Sequence, residues 1–309
     1  MIEPFGVPQD PPVTSPHWRE SVFFVAHPPD GAGDALILTA ASHPVRGGLD
    51  CYQMGVVDER LIFTRFTGDD GRSLTAGTAA IDLAEPIRLR TGPPATVQLD
   101  LRWTPRTEPH LLPPGRLAVD GDVVWEQRHL IQSGRVDGSY MVDGETRTVR
   151  DWWGQRDHSW GVRIHRKCPF WIWLGIQLPD GMLGVWCWEH PDGTRAYTGG
   201  CWAPEDGTPV PVTSFAHHLK WTGDDGCPVE YGRDGADVHG IGGYVECTLA
   251  DGRWIAVQAV GRWVARYGRL GGGHLVTTVR TNDGRTGCGV YELTGAHHHR
   301  YFPVSRASR

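Results

Sequence analysis

Short alternating segments separated by Asp-Gly turns are the feature of this sequence that most restricts its fold. Pro179-Asp180-Gly181, Ala250-Asp251-Gly252-Arg253 and Asn282-Asp283-Gly284 each stand between two apolar runs of strand length. Asp-Gly is a strong hairpin signal, because such turns need residues that accept positive φ. Hardly any segment has the apolar spacing of an amphipathic helix, although His217–Trp221 and Ile81–Leu89 would each fit a short helical turn. The sequence therefore predicts an all-β chain built from antiparallel hairpins.

The number of predicted strands indicates more than one barrel. Thr96–Trp103 alternates strictly, with Val97, Leu99 and Leu101 on one face. At a mean strand length of about 5–6 residues, the chain holds roughly 18 to 20 strands, which is high for one small barrel. No sequence repeat of about 20–50 residues indicates a propeller or solenoid. We expect two antiparallel barrels packed side by side, one formed by residues 1–164 and one by residues 165–309.

Composition restricts the partners and the compartment. The net charge of −6 argues against nucleic acid or an anionic membrane as the main partner. No apolar run approaches the roughly 18 residues of a membrane span, and Met1–Pro16 lacks the basic start and apolar core of a signal peptide. The seven cysteines include no Cys-x-x-Cys pair, which suits a reducing compartment. We expect a cytoplasmic protein, and the sequence leaves its oligomeric state open.

The densest group of chemically active side chains lies in the segment 154–163. Alternate residues of a strand share a face, so Arg156, His158 and Trp160 are predicted on one face and Asp157 and Ser159 on the other. An imidazole beside an indole is suited to proton transfer on an apolar substrate. The alternative is structural: Arg156 and Asp157 form ion pairs, and His158 is a core histidine whose hydrogen bonds are satisfied.

A group of tryptophans follows this segment. Trp171 and Trp173 are two residues apart, as are Trp186 and Trp188, and the two pairs belong to the strands of one predicted hairpin. Each pair therefore shares a sheet face, and the two faces can coincide. Such an aromatic wall can line a pocket for a flat or polyunsaturated ligand, or stabilise a carbocation through its π faces. The alternative is that these indoles simply pack in the core.

Three carboxyl groups, Asp157, Glu189 and Asp151, are candidates for a proton donor. Glu189 follows Trp188 directly and is predicted on the opposite face of that strand. A carboxyl group in an apolar cavity has a raised pKa and can act as a general acid. The alternative for each is an ion-paired or solvated surface carboxylate.

The sequence predicts no metal and no cofactor. His297-His298-His299 lacks cysteine or carboxylate neighbours in the sequence, and we interpret it as a solvated tail. Gly271-Gly272-Gly273 lacks the strand–loop–helix context of a phosphate-binding loop.

Several segments together resemble the signature of a known superfamily. Gly134–Gly138, Val142–Gly144 and Gly154–Gly161 are similar to motifs of the lipocalin-like AttH and hydroxyneurosporene synthase (carotenoid 1,2-hydratase, CrtC-like) superfamily. His17–Phe24 resembles its opening W-x-E-S-x-F-F strand, and Gly287–Glu292 its closing G-x-G-x-x-E. The resemblance spans most of the chain, and Arg-Asp-His-Ser-Trp-Gly is its specific part. It implies a pair of lipocalin-like (calycin) β-barrels.

The resemblance also implies an activity. That superfamily includes cofactor-free hydratases that protonate an isoprenoid double bond and add water, and enzymes that catalyse pericyclic cyclisations. The His-x-Trp pair implicated in the hydratases corresponds to His158 and Trp160 here. Their Tyr-x-Asp pair has no counterpart, since the corresponding strand Val185–Glu189 contains neither residue. The identity of the proton donor and carotenoid as the substrate are therefore open.

These observations lead to one hypothesis and two alternatives. The hypothesis is a cofactor-independent hydratase or dehydratase, isomerase or cyclase acting on an apolar isoprenoid- or polyketide-like molecule. His158 would relay the proton, Asp157 or Glu189 would supply the carboxyl group, and Arg156 would position a polar end of the substrate. The aromatic residues expected to contact the substrate are Trp160, Trp171, Trp173, Trp186 and Trp188. The alternatives are a hydrophobic-ligand carrier, with the central motif as a structural clasp, and a pericyclase that works by shape.

Overall fold

The computed structural model describes residues 15–68, 73–119, 121–168, 170–267, 271–295 and 299–303. Within these residues the chain forms 20 β-strands, and the helical structure amounts to a single 3-10 turn at His165–Lys167. The strands are β1 (Trp18–His27), β2 (Ala35–Ser42), β3 (Leu49–Val57), β4 (Arg60–Gly68), β5 (Thr75–Ala76), β6 (Ala79–Asp82), β7 (Ile87–Arg90), β8 (Val97–Pro105), β9 (His110–Leu111), β10 (Gly115–Val119), β11 (Asp122–Val142), β12 (Glu145–Arg163), β13 (Phe170–Leu178), β14 (Gly181–Glu189), β15 (Arg195–Pro204), β16 (Val210–Thr222), β17 (Gly240–Leu249), β18 (Trp254–Arg266), β19 (Gly271–Thr281) and β20 (Thr286–Gly295).

The two segments that fitted a helical turn are strands. His217–Trp221 lies inside β16, and Ile81–Leu89 spans the end of β6, the turn after it and most of β7. The prediction of an all-β chain with two lipocalin-like barrels is confirmed, because the strands form one closed barrel and one nearly closed sheet. No helix among the described residues is long and apolar enough to cross a membrane.

The first sheet contains twelve strands, in the order β4-β3-β2-β1-β12-β11-β8-β7-β6-β5, with β9 and β10 also paired to β11. Its first strand pairs with its last: β1 runs antiparallel to β12, and Val22 lies opposite His158 and Phe24 opposite Arg156. Opposite residues in an antiparallel pair share a face. Because Val22 and Phe24 belong to the main apolar core of this sheet, together with Trp103, His158 and Arg156 point toward that core.

The second sheet is a closed barrel of eight strands, β13 to β20, in which β13 also pairs with β20. Its interior is filled by side chains that alternate along each strand, such as Ile172 and Leu174 on β13 and Val185 and Cys187 on β14. Residues between them, including Trp173, face away from the interior. The barrel thus has a packed apolar core and a second, outward set of buried aromatic side chains.

The chain divides into two compact units, and one segment of the second unit interrupts the first unit in the sequence. The first unit consists of Met1–Pro114 and Glu126–Arg163, and the second of Gly115–Trp125 and Ile164–Arg309. Strand β11 therefore begins in the second unit and continues in the first.

Candidate active site

A buried histidine–carboxylate pair lies on the inner face of the first unit. His158 Nε2 is 2.7 Å from Glu20 Oε1, and the two residues are 8% and 7% exposed. Glu20 lies opposite Trp160 in the β1–β12 register, and the Trp160 ring centroid is 5.1 Å from that of His158. A carboxylate, an imidazole and an indole thus meet on one face. Sequence reasoning missed Glu20, although the opening Trp-x-Glu-Ser segment contains it.

Arg156 lies two residues before His158 on the same face. Its Nε and Nη2 atoms donate to Gln132 Oε1 at 2.9 and 2.6 Å, and its guanidinium carbon is 5.0 Å from the Trp103 ring centroid. Burial lowers the pKa of Arg156 to about 9, since the charged form is desolvated. Arg156, His158 and Trp160 lie opposite Phe24, Val22 and Glu20, which are alternate residues of β1. This pairing agrees with the prediction that the three side chains share a face.

Asp157 occupies the opposite face of β12. Its Oδ2 atom is 3.5 Å from His129 Nε2, and the neighbouring Ser159 hydroxyl is 3.1 Å from that of Ser21. The carboxyl group paired with His158 is that of Glu20. Asp157 instead faces a different histidine, so its predicted role as the proton donor for His158 has no support from the geometry.

Glu189 lies inside the barrel of the second unit, on the opposite face from Trp188, as the alternation predicted. His217 Nε2 is 2.7 Å from Glu189 Oε1, and His299 Nε2 is 3.1 Å from Glu189 Oε2. The Tyr301 hydroxyl lies 2.8 Å from His217 Nδ1. Glu189 and both histidines are at most 3% exposed, so this polar cluster is enclosed in the barrel.

The pKa values in this cluster favour a carboxylate and a neutral imidazole. Burial disfavours ionisation of Glu189, but hydrogen bonds from His217 and His299 outweigh it and hold the pKa of Glu189 well below its ordinary value. Burial lowers the pKa of His217, and Glu189 only partly opposes this. His217 then donates Nε2–H to Glu189 and accepts at Nδ1, where the Tyr301 hydroxyl and Arg300 Nη2 lie 2.8 and 3.0 Å away. The raised pKa expected for Glu189 as a general acid is therefore not found.

His299 differs from the expectation for the C-terminal histidines. It is completely buried, whereas we interpreted His297-His298-His299 as a solvated tail; His297 and His298 lie outside the described residues. Its partner is the carboxylate of Glu189. No local sequence pattern predicts this contact, because the two residues are 110 positions apart.

One group of residues has ligand types that suit a metal ion. Cys187, Glu189 and His217 each offer an atom within 4.8 Å of the others. However, Arg195 Nη2 and Arg300 Nη2 lie 3.3 and 3.8 Å from the Glu189 carboxylate, and two guanidinium groups disfavour a cation there. Burial raises the pKa of the Cys187 thiol to about 12, which opposes the thiolate that a metal needs. The residues present do not fit a metal well.

The four hairpin tryptophans form one wall on the outer face of the barrel. Trp171 pairs with Trp188 and Trp173 with Trp186 across β13 and β14, so the two faces coincide as predicted. Trp125 packs on this wall, with ring centroids 5.1, 5.9 and 5.4 Å from Trp171, Trp186 and Trp188. The four hairpin indoles are at most 5% exposed. Trp186 and Trp188 also contact each other, with ring centroids 4.8 Å apart. Contact with a substrate stays a prediction for the four indoles.

Comparisons with known proteins identify one matching family and several structures with a similar fold. A family model described as a domain of unknown function (DUF7064) matches residues 6–296, and no curated protein matches the sequence. An AttH-like protein from Nitrosomonas europaea has a similar structure, with a TM-score of 0.63 and 14% identity over 90% of this chain and 93% of its own. CghA gives a TM-score of 0.60 and 13% identity, over 92% of this chain and 90% of its own.

A third similar structure is kievitone hydratase from Nectria haematococca. It has a TM-score of 0.56 and 10% identity, over 90% of this chain and 89% of its own. At such identities the similarity shows the fold. The predicted resemblance to AttH-like proteins is thereby confirmed for the fold.

Proposed function

This chain belongs to the DUF7064 family, a domain of unknown function. From the geometry of the site we propose that the protein catalyses a cofactor-independent acid–base reaction on an apolar small molecule. The observation that carries the proposal is the buried His158–Glu20 pair beside Trp160, with Nε2 and Oε1 at 2.7 Å. A carboxylate that holds one imidazole nitrogen fixes the orientation of the ring, and leaves the other nitrogen to exchange a proton with a substrate. The reaction class is hydration or dehydration, isomerisation or cyclisation.

The proposed roles follow from the face that the side chains share. His158 gives a proton to a carbon–carbon double bond or takes one from an adjacent carbon, and Glu20 stabilises the imidazolium form. The indole of Trp160 stabilises positive charge that develops on the substrate through its π face. Arg156, held by Gln132, binds an oxygen at the polar end of the substrate, which lowers the cost of its own burial.

Two further observations support an enzyme of this class. Kievitone hydratase, whose name states a hydration reaction, has a similar fold. CghA, with a similar fold, has been solved with the small molecule Sch210972. The proposed substrate is an isoprenoid- or polyketide-like compound with at least one polar group that can reach Arg156.

A carrier of hydrophobic ligands is the second candidate. It is favoured by one observation: polar side chains of the central motif have partners on neighbouring strands, such as Ser159 with Ser21 and Arg156 with Gln132. A motif that only joins strands would show the same bonds. For a carrier, the apolar core would admit a ligand and His158 would have no chemical role.

The test is turnover of polyene, terpenoid and phenolic substrates by the wild type and by His158→Gln, with mass spectrometry to detect gain or loss of water and isomerised products. Ser159→Ala is the matched control, because it removes the neighbouring hydrogen bond on the opposite face. We expect His158→Gln to lose turnover while remaining folded, and Ser159→Ala to keep it. Equal turnover in His158→Gln and the wild type would reject the proposed role, and ligand binding without turnover would favour the carrier.

A further inference from the structure

Three side chains of the segment 299–303 are buried in the second unit, and two of them, Tyr301 and Phe302, belong to the apolar core of its barrel. His299, Tyr301 and Phe302 are 0%, 5% and 1% exposed. The segment closes on itself, because the His299 and Phe302 backbones exchange two hydrogen bonds of 3.2 and 2.7 Å. Trp221 Nε1 donates to the Tyr301 carbonyl oxygen at 2.9 Å. Three side chains from the end of the chain thus fill space that the barrel strands leave open.

His299 makes the contacts that a bound heteroaromatic ring would make. Its ring stacks on Phe170, with centroids 4.1 Å apart and planes 14° apart. Its Nε2–H donates to Glu189 Oε2 at 3.1 Å, and its Nδ1 accepts the Tyr301 N–H at 3.4 Å. Small-molecule sites likewise combine a mostly apolar lining with a few placed polar groups. The His299 ring thus has a flat apolar contact and a partner for each of its two nitrogens.

The surrounding charges restrict what else can occupy this position. Glu189 accepts a hydrogen bond from the ring, but Arg195 and Arg300 lie 3.3 and 3.8 Å from the same carboxylate. Two guanidinium groups already compensate the carboxylate, so an additional cation is disfavoured. A neutral ring with one N–H donor and one ring-nitrogen acceptor matches the site better than a protonated amine.

We propose that the space around Phe170 and Glu189 is a binding site for a small neutral azole or a related N–H heterocycle, and that His299 occupies it in the described structure. The site is separate from the His158–Glu20 pair of the first unit and does not depend on its proposed function. An external ligand must displace the His299 ring, so its apparent dissociation constant is the intrinsic one divided by the fraction of molecules in which that ring is displaced. Removal of the ring should expose the site.

The first experiment uses imidazole as the probe. We compare imidazole binding to the wild type, to His299→Ala and to His218→Ala by calorimetry and thermal unfolding. His218 is the matched control, since its side chain is 52% exposed and it stacks on Tyr244. We expect His299→Ala to bind imidazole at least about ten-fold more tightly than the wild type, because the competing ring is gone. Imidazole should restore part of the melting temperature lost in His299→Ala, and Glu189→Gln combined with His299→Ala should weaken the binding.

The second experiment tests the wild type, and it does not require the variant to fold. Hydrogen exchange of the His299 and Phe302 amides is measured with and without saturating imidazole. Faster exchange with imidazole is expected, because a displaced segment loses both backbone hydrogen bonds. If His299→Ala binds imidazole no better than the wild type, the proposal is wrong. Binding by the variant without any change of exchange in the wild type would also overturn it, since the site would then be a cavity made by the substitution.

Discussion

His158 and Glu20 are 138 positions apart in the sequence, and their side chains are 2.7 Å apart in the structure. The contact exists because the first strand of the unit pairs with its last, with Val22 opposite His158. Glu20 is two residues before Val22 on β1 and lies on the same face. Its side chain therefore reaches diagonally across to the imidazole of His158. The pair is therefore a product of the β1–β12 pairing.

Glu20→Gln should separate the proton-transfer role of this pair from its packing role. Glutamine keeps the size and can still hydrogen-bond His158, but it cannot stabilise an imidazolium. We expect turnover to fall about 10²-fold or more, with a changed pH–rate profile. Ser21→Ala, which removes the adjacent Ser21–Ser159 contact, should leave turnover and its pH dependence unchanged. An unaltered pH profile in Glu20→Gln would contradict the assignment.

Arg156→Met should keep the fold at a modest cost in stability. An apolar side chain of similar length avoids desolvating a guanidinium group, whose burial lowers its pKa to about 9, but it leaves the buried Gln132 Oε1 without its two donors, which costs about 1–3 kcal/mol. We expect a melting temperature a few degrees below that of the wild type, and a raised KM for a substrate with a polar end. Arg65→Met, at an exposed pair with Asp50, is the control for loss of an arginine. A fall of many degrees in Arg156→Met would show instead that the guanidinium is structural.

The His217–Glu189 pair should make the protein sensitive to acid. Burial lowers the pKa of His217 from 6.5, so the unfolded chain binds more protons below about pH 6.5 and stability falls as the pH decreases. The pKa of Glu189 is lowered from 4.5, so its contribution is present above pH 4.5 and is lost as the pH falls further. His217→Gln should cost about 1–3 kcal/mol at neutral pH, yet lose less stability between about pH 7 and 5.

The measurement for this prediction is thermal unfolding of the wild type and His217→Gln across that pH range. Other buried histidines, such as His27, have lowered pKa values as well, so the comparison is the difference between the two proteins. Parallel curves for wild type and variant would mean that His217 does not contribute to the acid sensitivity.

Gly161→Ala should destabilise the long strand β12. Gly161 has φ of 140°, and a Cβ atom would lie 2.1 Å from the Glu126 carbonyl oxygen. Both backbones would have to shift, and we expect a loss of about 2–4 kcal/mol in the free energy of unfolding. Gly193→Ala is the control, since φ is 83° there and no atom lies within 4 Å of the added Cβ. If both variants lost a similar amount of unfolding free energy, the cause would be the positive φ at each glycine and not the contact with Glu126.

The sequence predicted the parts of the fold that depend on neighbouring residues. Pro179-Asp180-Gly181 identified the β13–β14 hairpin, and alternation placed Glu189 and Trp188 on opposite faces, because both signals act over a few residues. The long strands β11 and β12 were harder to delimit, since glycines such as Gly134 and Gly161 resemble strand ends. In the fold they allow close approach: a Cβ at Gly134 would lie 2.1 Å from Trp103.

Local sequence patterns did not predict which residues contact His158 and Glu189. Glu20 and His299 appeared in the sequence as one residue of an opening strand and one of a histidine cluster. The contact of Glu20 with His158 depends on the pairing of β1 with β12, and that of His299 with Glu189 depends on where the segment 299–303 packs. In each contact the two residues are more than 100 positions apart. One sequence contains no signal for contacts of that range.

Strand β11 restricts how the chain can be divided, because its two parts belong to different units. Gly115–Trp125 belongs to the second unit although it precedes the end of the first in the chain. A gene fragment cut near residue 164 would give one product with an extra segment and one without Trp125, the ring that packs on Trp171 and Trp188. A single cut in the chain therefore cannot separate the two units.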